Sequence, residues 1–232
     1  MEKERSFYER LKEKGVSRRD FMKYCTALTA TMGLSAAYVP KVAEVFAAPA
    51  QRPPVVWLHF GECTGCSEAL LRTQYPYIDE LVLEVLSVEY HETIMAAAGH
   101  QAEEQLQHAV EKYNGKFICV VEGSVATKYN GGYGKVAGRS FLEIAKDVCP
   151  KAAAVIALGT CASYGGIPAA APNPGGYKGV GDAIGIKTLN IPGCPPNPIN
   201  LVGTVVNYLL LGKLPDLDES GRPLFAYGKT IH

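Results

Sequence analysis

The chain has 232 residues, with 23 Lys+Arg against 23 Asp+Glu, so its formal net charge is zero. Hydrophobic residues make up 47% and charged residues 20%, a globular profile that excludes a disordered tail, a collagen-like fibre and a coiled coil. Neutrality argues against nucleic acid as the main partner, because phosphate binding needs a basic face, and no apolar run reaches the roughly 20 residues of an ordinary membrane span.

Residues 1–50 are expected to lie outside the fold. Residues 1–23 hold eight Lys/Arg and five Asp/Glu, Tyr24 to Val39 carries no charge, and small residues follow to Ala47-Ala48-Pro49-Ala50. A basic start, a short apolar stretch and a small-residue cut site are the three parts of an export signal. At its head, Ser17-Arg18-Arg19-Asp20-Phe21-Met22-Lys23 resembles the twin-arginine signal; the plainer alternative is a basic helix start. The twin-arginine route carries folded, often cofactor-bearing cargo, which implies a periplasmic destination and a mature chain starting near Gln51.

From there, Val55 to Leu58 reads as a buried strand stopping at Gly61. Ser67 to Arg72 starts a helix, Leu81 to Tyr90 is a second strand candidate, and Ala102 to Tyr113 is helical. Phe117 to Val121 is a strand ending at Glu122-Gly123-Ser124, and Ser140 to Val148 is an amphipathic helix. Ala153 to Leu158 and Lys187 to Ile191 are strands ending at Gly159-Thr160 and Pro192-Gly193, and Ile199 to Leu211 is a helix. Strand, loop and helix in repetition predict a doubly wound parallel sheet, with solid apolar strands because both faces are covered. Right-handed crossovers then put every strand C-terminus on one edge, where such folds hold ligands.

Cys63 and Cys66 follow the first strand as C-x-x-C, Cys161 follows the strand at 153–158, and Cys194 follows the strand at 187–191. Three strand ends therefore deliver four thiols to one edge. Cys119 inside a strand and Cys149 at a helix end read as structural, and Cys25 belongs to the leader. Disulfides, a structural zinc site, a redox C-x-x-C and an iron–sulfur cluster compete for the quartet. The cluster uses all four thiols, and Gly61, Gly65, Gly159 and Gly193 would let backbone N–H groups approach its sulfurs.

Glu62-Cys63-Thr64-Gly65-Cys66-Ser67-Glu68, Gly159-Thr160-Cys161 and Ile191-Pro192-Gly193-Cys194-Pro195-Pro196-Asn197-Pro198, with Glu122-Gly123-Ser124 and Phe225 to His232, together resemble the small subunit of nickel–iron hydrogenases. The resemblance implies a flavodoxin-like domain over residues 51–212, in which Cys63, Cys66, Cys161 and Cys194 ligate a proximal 4Fe-4S cluster. It also implies a heterodimer with a large subunit that splits hydrogen at a nickel–iron centre. Electrons would leave through medial 3Fe-4S and distal 4Fe-4S clusters to a membrane cytochrome, a quinone-linked subunit or a soluble cytochrome. Oxygen-tolerant members carry two further cysteines, matching Gly65 and Gly166 here, so the chain resembles the oxygen-sensitive type. His232 matches the first distal ligand; residues 213–232 would begin a second cluster-binding domain, and the chain is expected to be a fragment that lacks the rest of it. The medial and distal clusters are then expected only in a full-length chain, with localisation in the periplasm at the membrane.

Glu62 is a candidate for a proton path or for tuning the cluster, or else an interface carboxylate. Glu122 would face the cluster or cap a helix, and Thr160 would donate to sulfur or merely close a turn. The histidines show no metal spacing, with His91 expected to be a hydrogen-bonded structural residue. Arg72 would meet a partner carboxylate or solvent, and the glycine pairs near 131 and 175 are surface loops without a phosphate-loop setting. Two other readings stand beside the hydrogenase: the related quinone-reductase cluster subunit, disfavoured because it carries adjacent cysteines, and a stand-alone iron–sulfur carrier or zinc-stabilised module.

Overall fold

A computed structural model describes residues 7–13, 15–47, 52–73, 78–81 and 86–228. In chain order the elements are α1 (Phe7–Glu13), α2 (Arg18–Thr31), α3 (Val39–Ala47), β1 (Pro54–His59), α4 (Gly65–Leu71), α5 (Ile78–Glu80), β2 (Ser87–His91) and α6 (His100–Lys112). They continue as β3 (Ile118–Glu122), β4 (Lys135–Val136), β5 (Arg139–Ser140), α7 (Phe141–Val148), β6 (Ala154–Leu158), α8 (Gly159–Tyr164), α9 (Val180–Ile184), β7 (Leu189–Ile191), α10 (Pro198–Leu211) and α11 (Leu224–Tyr227).

Five strands form one sheet in the order β2-β1-β3-β6-β7, parallel at every pairing. Counting those five alone, the order is that of flavodoxin, and it reverses between β1 and β3, the point where such sheets open a crevice. Alternate residues of each strand serve opposite faces. Val55, Trp57, Ile118, Val120, Ile156 and Leu158 pack with Leu201, Val202, Val205 and Val206 of α10. Val56, Leu58, Cys119, Val121, Val155 and Ala157 pack with α6 and α7 through Leu106, Val110, Ile144 and Val148. Burial on both faces explains why these strands read as unbroken apolar runs.

The helices start where local chemistry allows. Ser140 caps α7 in a reciprocal box with Glu143, satisfying two orphan donors. Asn197 accepts the N–H of Ile199, with Pro198 in the first turn of α10 and Gly212 closing it at φ 64°.

Two expectations need correction. The strand read from Leu81 to Tyr90 is confined to Ser87–His91; Leu81 belongs to a helical turn, and residues 82–85 lie outside the described residues. The described residues between 7 and 47 do not stand apart from the fold. α2 and α3 bury Phe21, Cys25, Leu28, Val42 and Phe46 in the same core as α10. The reason lies in α10, whose sequence between Pro198 and Leu211 carries no charge and few polar side chains. It offers apolar surface beyond what the sheet covers, and the apolar stripe of α2 and α3 removes that surface from water. His232 and the small residues 48–50 lie outside the described residues. Among the described residues no helix is long and apolar enough to cross a membrane.

Candidate functional site

The crevice at the β1–β3 switch point is built first by backbone. Phe60 and Gly61 continue the pairing past β1, donating to the carbonyls of Glu122 and Ser124 at 2.9 Å, and Ser124 donates back to Gly61 at 2.9 Å. Gly123 sits at φ +94°, where a Cβ would meet that of Glu62 at 2.8 Å; only glycine lets the two strand exits lie this close.

The chain then turns through Thr64, at a left-handed φ of 62°, into α4. Glu122, the last residue of β3 and 1% exposed, reaches across to this turn. One oxygen accepts the Cys66 N–H at 3.0 Å; the other accepts the Ser67 N–H at 3.1 Å and the Ser67 hydroxyl at 2.5 Å. A buried carboxylate is thus held by three donors and the helix N-terminal dipole. The capping alternative for Glu122 is the one observed.

The four thiols singled out in the sequence come to this edge from three strand exits, Cys66 in the first turn of α4 and Cys161 in the first turn of α8. Cys63 and Cys194 are exposed, Cys66 and Cys161 half-buried, and all four are free thiols. Cys66 lies close enough to the others to feel them. Burial first, then repulsion from Glu122, Cys161, Cys63 and Cys194, pushes its thiol well above the ordinary range. Cys161 is likewise pushed up by burial, opposed by a backbone hydrogen bond from Ile167, with Cys194 and Cys63 adding repulsion. Four thiolates here would repel one another unless a positively charged core sat among them.

Glycines shape the walls. A Cβ on Gly159, at φ +88°, would collide with the Cys66 sulfur, and one on Gly166, at φ +55°, would stand 2.6 Å from the Cys161 sulfur. Gly65 would bring a Cβ to 3.2 Å from the Cys63 sulfur. The two glycines compared with cysteine positions in the sequence are therefore both adjacent to thiols. Thr160 does not need to reach a sulfur to matter. Its N–H donates to the Gly193 carbonyl at 2.9 Å and its hydroxyl accepts the Gly193 N–H at 3.1 Å, which pins the Cys161 and Cys194 loops together. A donor set of four soft thiols, held at three strand exits with no room for Cβ atoms beside two of them, fits an iron–sulfur cluster.

Behind the thiols lies a polar network the sequence spacing did not reveal. His59, on β1, is the register partner of Glu122. Its Nδ1 is 3.3 Å from Glu62 and 3.9 Å from Glu122, and the three ligand-type atoms lie within 4.8 Å of one another. Glu62 also accepts from the Thr64 hydroxyl at 3.3 Å, while its buried Oε2 has no partner among the described residues. His91 sits between the hydroxyls of Ser67 and Thr93 at 3.3 and 3.2 Å, the structural role expected for it. Strand register, not sequence spacing, was the signal for His59: two runs ending at 59 and 122 pair in parallel with their last residues side by side.

The remaining candidates fall outside the crevice's chemistry. Cys119 and Cys149 are buried with sulfurs 3.9 Å apart, the structural role expected of them. Arg72 is an exposed partner of Glu68 at 2.6 Å. The two glycine loops lock onto each other, with Thr127 donating to Gly176 and Tyr177 to Tyr133. Beside them Tyr129, Tyr133, Tyr164 and Ile167 are exposed, large apolar groups standing in water near the thiol edge.

Comparison with known proteins decides what this edge belongs to. Over 227 residues the chain is 54% identical to the periplasmic NiFe hydrogenase small subunit 1 of Nitratidesulfovibrio vulgaris, covering 97% of this chain and 71% of that one. The chain belongs to the family of nickel–iron hydrogenase small subunits. It is also 47% identical to the quinone-reactive Ni/Fe-hydrogenase small chain of Wolinella succinogenes, over 96% of this chain and 63% of that one. Residues 63–208 match the family described as NADH ubiquinone oxidoreductase, 20 Kd subunit, which spans the thiol loops and the sheet between them. Among solved structures, the Ni-Fe-Se hydrogenase of Desulfomicrobium baculatum superposes with a TM-score of 0.74 at 39% identity, covering 78% of this chain and 73% of that one. Members of this family are the electron-transfer subunits of enzymes whose hydrogenase activity is carried with a large subunit.

Proposed function

We propose that Cys63, Cys66, Cys161 and Cys194 hold a proximal 4Fe-4S cluster, and that the chain passes electrons from hydrogen oxidation in the large subunit toward an acceptor. The cluster supplies a one-electron carrier when bound. The observation that carries this reading is the meeting of four thiols from three strand exits. Glu122 fixes the Cys66 amide, Thr160 ties the Cys161 loop to the Cys194 loop, and Gly159 and Gly166 leave the thiols their space.

The exposed thiols of Cys63 and Cys194, with Tyr129, Tyr133, Tyr164 and Ile167 nearby, mark the edge as the face toward the large subunit. Contact there would exclude water from the site. Glu62, with one buried oxygen lacking a partner among the described residues, would accept a proton from the partner side or tune the cluster by its charge. The absence of cysteine at positions 65 and 166 supports the oxygen-sensitive type.

Residues 1–50 act as a twin-arginine export leader, residues 51–212 as the cluster-binding domain, and residues 213–232 lead into a further cluster domain in which His232 would be a distal ligand. The destination is the periplasm, at the membrane, in keeping with the relative named periplasmic. The acceptor is a membrane cytochrome or a quinone-linked subunit, in keeping with the relative named quinone-reactive.

The test is hydrogen-dependent dye reduction by the chain alone, by the large subunit alone and by the two together. Activity is expected only from the pair. Hydrogen consumption by this chain alone would overturn the division of labour, and an assembled pair lacking the iron and sulfide of a four-iron cluster at these thiols would overturn the ligand assignment.

A further inference from the structure

The leader is built into the molecule in a specific way. Ser17 caps α2, its hydroxyl accepting the Asp20 N–H at 3.2 Å. From there Phe21, Cys25, Leu28 and Met32 form a stripe at helical spacing, each 4% exposed or less, and Val42 and Phe46 of α3 are 0% and 2% exposed. Their core partners include Leu201, Val202, Val205 and Val206 of α10. α10 makes room for this contact: Gly203 is where a Cβ would meet the Phe225 ring at 3.1 Å and Met32 at 3.5 Å. Arg18, Arg19 and Lys23, by contrast, are all exposed. One side of the leader is therefore displayed and the other withheld.

An isolated helix of 14 residues is marginal in water, so α2 owes its order to packing, chiefly against α3, which in turn sits on α10. Six buried side chains, Phe21, Cys25, Leu28, Met32, Val42 and Phe46, supply that packing. The cleft between the Ala30–Leu34 end of the leader and Asn197, Ile199 and Asn200 places the seat directly behind the loop that carries Cys194.

We propose that the apolar face of α10 is a docking surface for the chain's own leader, so that the precursor shows its arginine pair while sequestering its apolar stretch. An export receptor would meet the arginines first and gain the apolar segment only after α2 and α3 undock. The inference rests on reading residues 1–50 as an export leader.

The experiment is amide hydrogen exchange on the whole precursor, with β3 as the internal control for a folded body. The amides of α2 and α3 are expected to exchange at least tenfold more slowly than in the free leader peptide. Val42→Asp should remove that protection and quicken exchange in α10 while β3 stays protected. Gly203→Leu acts from the body side with the leader sequence intact, and should quicken both leader exchange and precursor processing at least twofold. Free-peptide exchange in the wild-type leader, or leader protection unmoved by Val42→Asp, overturns the docking. Unchanged processing in Gly203→Leu overturns the withholding. Cell fractionation of a variant carrying Arg18→Lys and Arg19→Lys tests the leader reading separately: continued periplasmic recovery removes the export role and leaves the docking result to stand on its own.

Discussion

Glu122 and Cys66 are 56 residues apart in the chain, and the carboxylate of the first accepts the backbone N–H of the second at 3.0 Å. The contact exists because β1 and β3 are sheet neighbours at the switch point and end level with each other. It makes the C-x-x-C turn depend on a residue from another loop. In Glu122→Gln the amide group must face at least one backbone donor of Cys66 or Ser67, leaving it unsatisfied at a cost of about 1–3 kcal/mol. The assembled protein should lose iron on mild chelation faster than wild type and melt several degrees lower. Unchanged iron retention and melting would show that Glu122 is not needed to hold the turn.

The same comparison shows what the sequence could and could not disclose. Strand ends were legible because both faces of the sheet are covered, so apolar runs stop at Gly61, Gly123, Gly159 and Gly193 where the edge begins. The thiol quartet was legible because three of those stops are followed by cysteine. His59 was not legible, since its partner Glu122 is set by β1–β3 register and no local spacing encodes it. Nor was the packing of α2 and α3, because an uncharged stretch reads alike whether it waits for a membrane or lies on α10.

Replacing thiols separates ligands from packing. Cys161→Ser is expected to remove the cluster from the assembled enzyme and stop dye reduction through it. Cys119→Ser, in a residue buried against Cys149 on the opposite side of the sheet from α10, should keep full iron content. Iron analysis and electron paramagnetic resonance of the two variants check this, and equal losses would mean the ligand set is wrong.

Glycine substitutions test whether the thiols need the space beside them. Gly159→Ala drives a methyl group into the Cys66 sulfur and adds strain at φ +88°. Gly115→Ala adds similar strain at φ +73° with nothing within 4 Å of the new Cβ. Strain alone costs about 1–2 kcal/mol. Iron occupancy is therefore expected to collapse in Gly159→Ala and to survive in Gly115→Ala. Equal occupancy in both would show that strain, not the collision, is what matters at position 159.

His91 gives the fold a specific sensitivity to acid. Ser67 donates its proton to Glu122, so its oxygen is left to accept, and His91 meets it as an Nε2–H donor while Nδ1 accepts from Thr93. This neutral form is enforced by burial first, then by repulsion from His59, which together bring the imidazole down from 6.5 to about 3. Between those values the unfolded chain binds a proton that the folded chain refuses. Stability is therefore intact above pH 6.5 and falls as the pH drops toward 3, by up to about 1.4 kcal/mol per unit from this residue. Gln at position 91 can donate to Ser67 and accept from Thr93 without titrating. Unfolding free energies from urea titration at pH 7 and pH 4.5 should differ by about 2.5 kcal/mol less in His91→Gln than in wild type. If the two proteins lose stability in parallel on acidification, His91 is not the group that senses it.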